Sequence, residues 1–145
     1  MGNGECGMQD ADETIKCAAA RIAIAVVEQN DCFLIGRRPA GVALAGFWEF
    51  PGGKVLDDEE PSACAARECR EETGMEVDVG ELLCECEYEY AHGRLRLQFY
   101  HCRPLNEAQP PRSPFLWVAR QELKRYNFPP ANAELLKLLV AQIDL

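Results

Sequence analysis

The sequence predicts an α/β protein in which a mixed β-sheet is sandwiched between helices. Three patterns carry that expectation: apolar stretches of period two recur along the chain, a run of strong helix formers occupies 61–73, and an amphipathic segment stands near the C-terminus. At 145 residues and 48% hydrophobic content, the chain is long enough to bury a substantial core. We read 16–145 as one domain and the polar, Gly-rich 1–15 as a flexible tail.

Taken in order, 21–27 and 32–35 read as two strands joined at Gln29-Asn30-Asp31, a hairpin. From 83 to 90, Cys84, Cys86, Tyr88 and Tyr90 alternate with Glu85, Glu87 and Glu89. Leu95, Leu97 and Phe99 repeat the alternation after His92-Gly93, so a second hairpin with one wet face is expected. The stretch 104–114 holds four prolines and reads as a loop, and 115–118 as a short strand. A terminal helix is expected over 132–143, with Leu135, Leu136, Leu139 and Ile143 facing inward.

The segment 61–73 is the most specific. Pro61 suits a first helical turn, Ala63, Ala65 and Ala66 favour helix, and Gly74 fits just past a helix end. At about 100° per residue, Glu68, Glu71 and Glu72 share one arc, and Ala65, Ala66 and Cys69 share a neighbouring arc small enough to lie close against a sheet. Carboxylates spaced i, i+3 and i+4 repel by about 0.2–0.5 kcal/mol per pair on an exposed helix. Arg67, four residues before Glu71, offsets part of this, and a divalent cation would offset more. Oxygen-only ligands favour Mg²⁺ or Mn²⁺ over zinc. By itself, however, such a charge run also reads as a solvated acidic face.

Composition narrows the function classes. A net charge of −9 argues against a polynucleotide-binding surface, which needs Lys and Arg to neutralise phosphates, yet leaves room for a small phosphorylated substrate. Of the eight cysteines, none forms a Cys-x-x-Cys pair, and Cys84 and Cys86 point to one strand face, so most read as reduced, buried small hydrophobes. His92 and His101 are too few for a metal cluster. Met1-Gly2 begins like a myristoylation signal, but Cys6 stands where Ser or Thr is wanted. With no secretory leader and no apolar run near the length of about 20 residues that spans a bilayer, a cytoplasmic location is expected.

Gly53, Glu59 and Arg67-Glu68-Cys69-Arg70-Glu71-Glu72-Thr73-Gly74-Met75 fill every fixed position of the 23-residue pattern Gly-x5-Glu-x7-Arg-Glu-U-x-Glu-Glu-x-Gly-U, where U is bulky and apolar and Cys69 is small for its place. On these residues the chain resembles the Nudix hydrolases. That resemblance implies the Nudix fold and hydrolysis of a nucleoside diphosphate linked to another group, with metal-activated water attacking a phosphorus. It gives Glu68, Glu71, Glu72 and the Gly52 carbonyl to the metal, with one glutamate serving also as general base. Arg67 would orient the glutamates, Glu59 would brace the loop and Lys54 would meet phosphate. A reading from another class, an inactive nucleotide-binding module, goes with loss of these glutamates, and all of them stand here.

Two flanking segments resemble the MutT branch, which sanitises 8-oxo-dGTP: Arg37-Arg38 with Phe47-Trp48-Glu49-Phe50-Pro51-Gly52-Gly53-Lys54, and Phe128-Pro129-Pro130-Ala131-Asn132. The likeness spans about 20–143 and implies that Asn132 reads oxidised guanine. An amide offers one acceptor and two donors, which match the O6/N7 purine edge once oxidation makes N7 a donor. Phe50 would wall the base pocket and Arg38 contact sugar or phosphate. Asn132 equally suits a helix cap. The branch also supplies a metal-binding Glu in the loop before Trp117; here the nearby acid is Glu107, and its spacing does not align. Competing substrates are CTP or modified pyrimidine triphosphates, whose enzymes share the Trp-Glu-Phe approach, and dinucleoside polyphosphates, whose enzymes place a Tyr near Tyr90. ADP-ribose enzymes want a Pro where Glu89-Tyr90 stand.

Overall fold

In a computed structural model, residues 20–90 and 93–141 are described. The expected tail, Cys6, Cys17, His92, Ile143 and the side chain of Tyr90 lie outside the described residues.

Strand β1 (Ala20–Gln29) turns at Asn30 and Asp31 into β2 (Cys32–Arg37). Both turn residues have positive φ, 53° and 63°, the backbone of a tight hairpin that Asn and Asp tolerate best after Gly. Two short strands follow, β3 (Trp48–Glu49) and β4 (Gly52–Lys54), then helix α1 (Pro61–Thr73). The second hairpin pairs β5 (Val77–Tyr90) with β6 (Gly93–Pro104), and β7 (Leu116–Ala119) leads into a 3₁₀ helix over Arg120–Arg125. A 3₁₀ turn at Pro130–Asn132 opens α2 (Ala133–Ala141). Asn132 thus sits in the turn rather than in the first α-helical turn, because two prolines tighten the approach.

The sheet runs β3-β2-β1-β6-β5, with β4 also on β1 and β7 also on β2. Pairing is parallel between β1 and β6 and antiparallel elsewhere, so the sheet is mixed as expected. Side chains alternate across it. Ala23, Ala25 and Val27 face α1, packing on Cys64, Ala65 and Cys69. Ile24 and Val26 face the other side, with Phe33, Ile35, Phe99, Leu135 and Leu139 beneath α2. One helix on each face makes the sandwich. The wet face of the second hairpin is charged: Glu87 accepts from Arg94 at 2.6 Å and from Arg96 at 3.1 Å.

The partner of β1 on one side changes along its length, from β2 at Glu28–Gln29 to β4 at Ile22–Ile24. The chain between these partners crosses through Phe50 and Pro51, whose carbonyl receives the Ala25 N–H at 2.8 Å. At this change of partners the sheet opens, and the site lies there.

Candidate active site

Helix α1 ends where Gly74 takes φ 79° and caps the Arg70 carbonyl, a left-handed position that favours glycine. Its N-terminal half is tied to β4, with the Cys64 thiol on the Gly53 and Lys54 carbonyls at 3.6 and 3.4 Å. Burial pushes that thiol up to about 11, so it stays protonated and donates. The close approach depends on missing side chains. A Cβ on Gly53 would overlap the Glu68 carboxyl, and one on Gly52 would stand 2.7 Å from the Ala23 carbonyl oxygen.

Arg67 organises the carboxylates. It grips Glu59 bidentately, Nε to Oε2 at 2.7 Å and Nη2 to Oε1 at 3.1 Å, and reaches Glu68 at 3.1 Å and Glu71 at 3.3 Å. Glu59 in turn accepts the Leu56 N–H at 3.0 Å, which ties it to the loop before α1. The Arg67 hydrogen bonds, with the Leu56 N–H, hold the Glu59 carboxyl down at about 2. Glu72 behaves oppositely. Burial, a hydrogen bond with Glu68 and the negative charges of Glu49 and Glu68 raise it to about 8, and the Gly52 N–H at 3.4 Å offsets only part of this.

A carboxyl that keeps its proton at neutral pH beside a second carboxylate marks a place short of positive charge. An oxygen-preferring divalent cation fits it. Among the described residues no three acidic, imidazole or thiol groups converge on one point, because Glu71, 53% exposed, leans onto Arg67. Glu68 and Glu72 are the pair that meet, and Glu71 would join them by leaving Arg67.

Beside the Gly52-Gly53 edge lies a cavity of about 610 Å³. Ile22, Ile24, Leu95 and Leu97 form its floor, and Phe50, Ala131 and Asn132 a wall. Phe50 stacks on Phe128 with centroids 5.3 Å apart and planes 18° from parallel, which fixes the wall. Asn132 is 7% exposed, and among the described residues its amide has no protein partner, so it does not cap α2. Arg38 lines the cavity, held by Glu49 at 2.6 Å and by the Ala43 carbonyl at 2.7 Å. Lys54 is exposed on β4.

Sequence reasoning passed over Glu49 as a site residue. It sat inside the quoted Phe47 to Lys54 segment, but a two-residue strand carries no period that tells which way its carboxylate points. The loop before β7 also shows what stands near the α1 glutamates. Arg112 donates to the Glu71 carbonyl at 3.0 Å, while Glu107 offers its backbone carbonyl to Gln29.

The layered fold agrees with the comparisons. A family model for the NUDIX domain matches residues 22–138. The CTP pyrophosphohydrolase of Escherichia coli (strain K12) is 32% identical over 123 residues, 83% of this chain and 90% of that protein. The 8-oxo-dGTP diphosphatase of the same organism is 33% identical over 117 residues, covering 77% and 89%. The solution structure of the E. coli ORF135 protein superposes with a TM-score of 0.70 at 30% identity, covering 86% of this chain and 91% of that one. The chain belongs to the Nudix family and is a Nudix hydrolase of the MutT type. Members of the family act on small nucleotide substrates and generally use divalent metal ions. No helix among the described residues is long and apolar enough to cross a membrane.

Proposed function

We propose that this chain is a Mg²⁺-dependent nucleoside triphosphate pyrophosphohydrolase that converts 8-oxo-dGTP, or a related purine deoxynucleotide, to the monophosphate and pyrophosphate, clearing oxidised nucleotides from the cytoplasmic pool. Asn132 carries the reading: a nearly buried amide with no protein partner among the described residues, on the wall of an apolar cavity behind a stacked Phe50–Phe128 pair. Its polar atoms reach the cavity surface, where one acceptor and two donors stand ready to pair with a ligand's edge. A site built on that pairing rejects a base with the wrong edge by large factors.

Glu68, Glu71, Glu72 and the Gly52 carbonyl would hold the cation. When bound, it activates the attacking water and stabilises charge on the attacked and leaving oxygens. Arg67 keeps the glutamates apart and oriented through Glu59, Glu68 and Glu71. Lys54 and Arg38 meet phosphate or sugar.

One observation favours a second reading, CTP or a modified pyrimidine triphosphate: the CTP pyrophosphohydrolase is 32% identical over 83% of this chain. A panel of kcat/KM values for 8-oxo-dGTP, dGTP, CTP, 5-methyl-dCTP and diadenosine tetraphosphate decides. The expected leader is 8-oxo-dGTP; a pyrimidine leader or a flat profile would remove the base assignment and keep the chemistry. In the same assay Glu71→Gln should lose Mg²⁺-dependent turnover with its fold intact, and full activity would remove Glu71 from the metal site.

A further inference from the structure

An α-helix leaves its last carbonyls without partners inside itself. In α1 that last turn carries Glu71 and Glu72, and the Gly74 N–H serves the Arg70 carbonyl, at 2.9 Å. Further donors come from far along the chain, from the loop 105–115 between β6 and β7. The Arg112 N–H reaches the Thr73 carbonyl at 2.8 Å, the Arg112 guanidinium the Glu71 carbonyl at 3.0 Å, and the Gln109 side-chain amide the Gly74 carbonyl at 2.8 Å. The guanidinium lies close over the helix end, where a Cβ on Gly74 would stand 3.1 Å from its Nη2.

This loop is fastened elsewhere along its length. The Leu105 N–H binds the Glu76 carbonyl at 3.0 Å, and the Glu107 carbonyl accepts from the Gln29 side chain at 3.0 Å. Phe115 is buried, with its ring so close to Gly36 that a Cβ there would come within 2.9 Å of it. The first half of α1 has its own anchor on β4, through Cys64 and Arg67 to the Gly53 and Lys54 carbonyls. We propose that Gln109 and Arg112 are positioning residues for the metal site, clamping the last turn of α1 so that Glu71 and Glu72 stay beside Glu68.

The proposal rests on reading Glu68, Glu71 and Glu72 as metal ligands and adds what holds two of them in place. A last turn without outside donors frays, and a cation must then order the turn as it binds, which lowers affinity by that cost. The Arg112 side chain binds the Glu71 backbone rather than its carboxylate, so its effect travels through the position of the turn. Its charge acts with the opposite sign. Removing a positive charge near a cation site strengthens cation binding by electrostatics alone, so a weakening reports the lost hydrogen bonds.

Titration with Mn²⁺ alone, read from the electron paramagnetic resonance of the free ion, tests this without turnover in wild type, Gln109→Ala, Arg112→Ala, Arg112→Lys and Glu72→Gln. Hydrogen exchange at the Thr73 and Gly74 amides follows the turn itself. Arg112→Ala should weaken Mn²⁺ about tenfold, the low end of what losing an outer hydrogen-bond partner of a metal ligand costs, and speed exchange at both amides. Gln109→Ala should do the same to a smaller extent, and Arg112→Lys, which keeps a donor, should recover part of the affinity. Unchanged or tighter Mn²⁺ binding in both alanine variants, with Glu72→Gln weakened, would overturn the clamp and leave the metal reading standing. Wild-type affinity in Glu72→Gln would remove the metal reading and the proposal with it.

Discussion

Glu59 and Glu72 titrate in opposite directions, because a guanidinium grips the one and burial among carboxylates surrounds the other. Glu59 has Arg67 on both its oxygens and falls to about 2; Glu72 is buried, with Glu68 against it, and rises to about 8. For Glu59 the folded value lies below the ordinary glutamate value of 4.5, so its contribution to stability is present above that pH and is lost as pH falls from 4.5 toward 2. Glu59→Gln should accordingly lower the thermal midpoint near pH 7, with the gap to wild type closing below pH 4.5. A gap independent of pH would mean that Glu59 acts through packing alone. For Glu72 the sign reverses: the folded chain keeps a proton that the unfolded chain has released, so the group lowers stability as pH rises from 4.5 to 8.

At the scale of elements, legibility followed period and punctuation. Helix 61–73 was readable to both ends because Pro61 and Gly74 mark its limits. The hairpins were readable from alternation, though β1, β2 and β5 each run longer than the apolar signal, since polar residues such as Arg37 and Asp78 can pair at strand ends. Strands β3 and β4 were not readable, being two and three residues long. Nor was the 3₁₀ helix 120–125, where a charged residue, Arg120, is buried along with Leu123. Arg120 binds Glu28 and Asp31, each at 2.7 Å, and the Leu139 carbonyl at 3.1 Å, with its guanidinium 4.8 Å above the Phe33 ring. It thereby ties β1, the first hairpin turn and α2 together beneath the wall that carries Asn132. Removing one partner of a buried ion pair costs about 3–5 kcal/mol, and Arg120→Met should lose that much in urea denaturation. A loss of under about 1 kcal/mol, the worth of an exposed pair, would show the network to be incidental.

For the whole molecule, a net charge of −9 and a crowded acidic face mean that the folded state carries electrostatic repulsion which the unfolded chain relaxes. A ligand that binds only the native state stabilises it by RT ln(1 + [L]/Kd), about 2.7 kcal/mol at a hundredfold excess over Kd. Mg²⁺ should raise the thermal midpoint of wild type, and raise it much less in Glu72→Gln, as read by calorimetry. Equal shifts in both would place the cation elsewhere. The residues of the box were legible because chemistry fixes their spacing along one helix. The cavity beside Gly52-Gly53 was not, because it lies where β1 changes partners, a long-range event that no local pattern records.

The base assignment is the central claim, and the ratio of kcat/KM for 8-oxo-dGTP over CTP, measured for wild type and for Asn132→Ala, tests it most directly. Losing one buried amide's hydrogen bonds corresponds to about 1–3 kcal/mol, so the ratio should fall by about 10- to 100-fold while Mg²⁺-dependent turnover persists. A ratio unchanged by the substitution would contradict the account and leave Asn132 as a residue of the turn before α2.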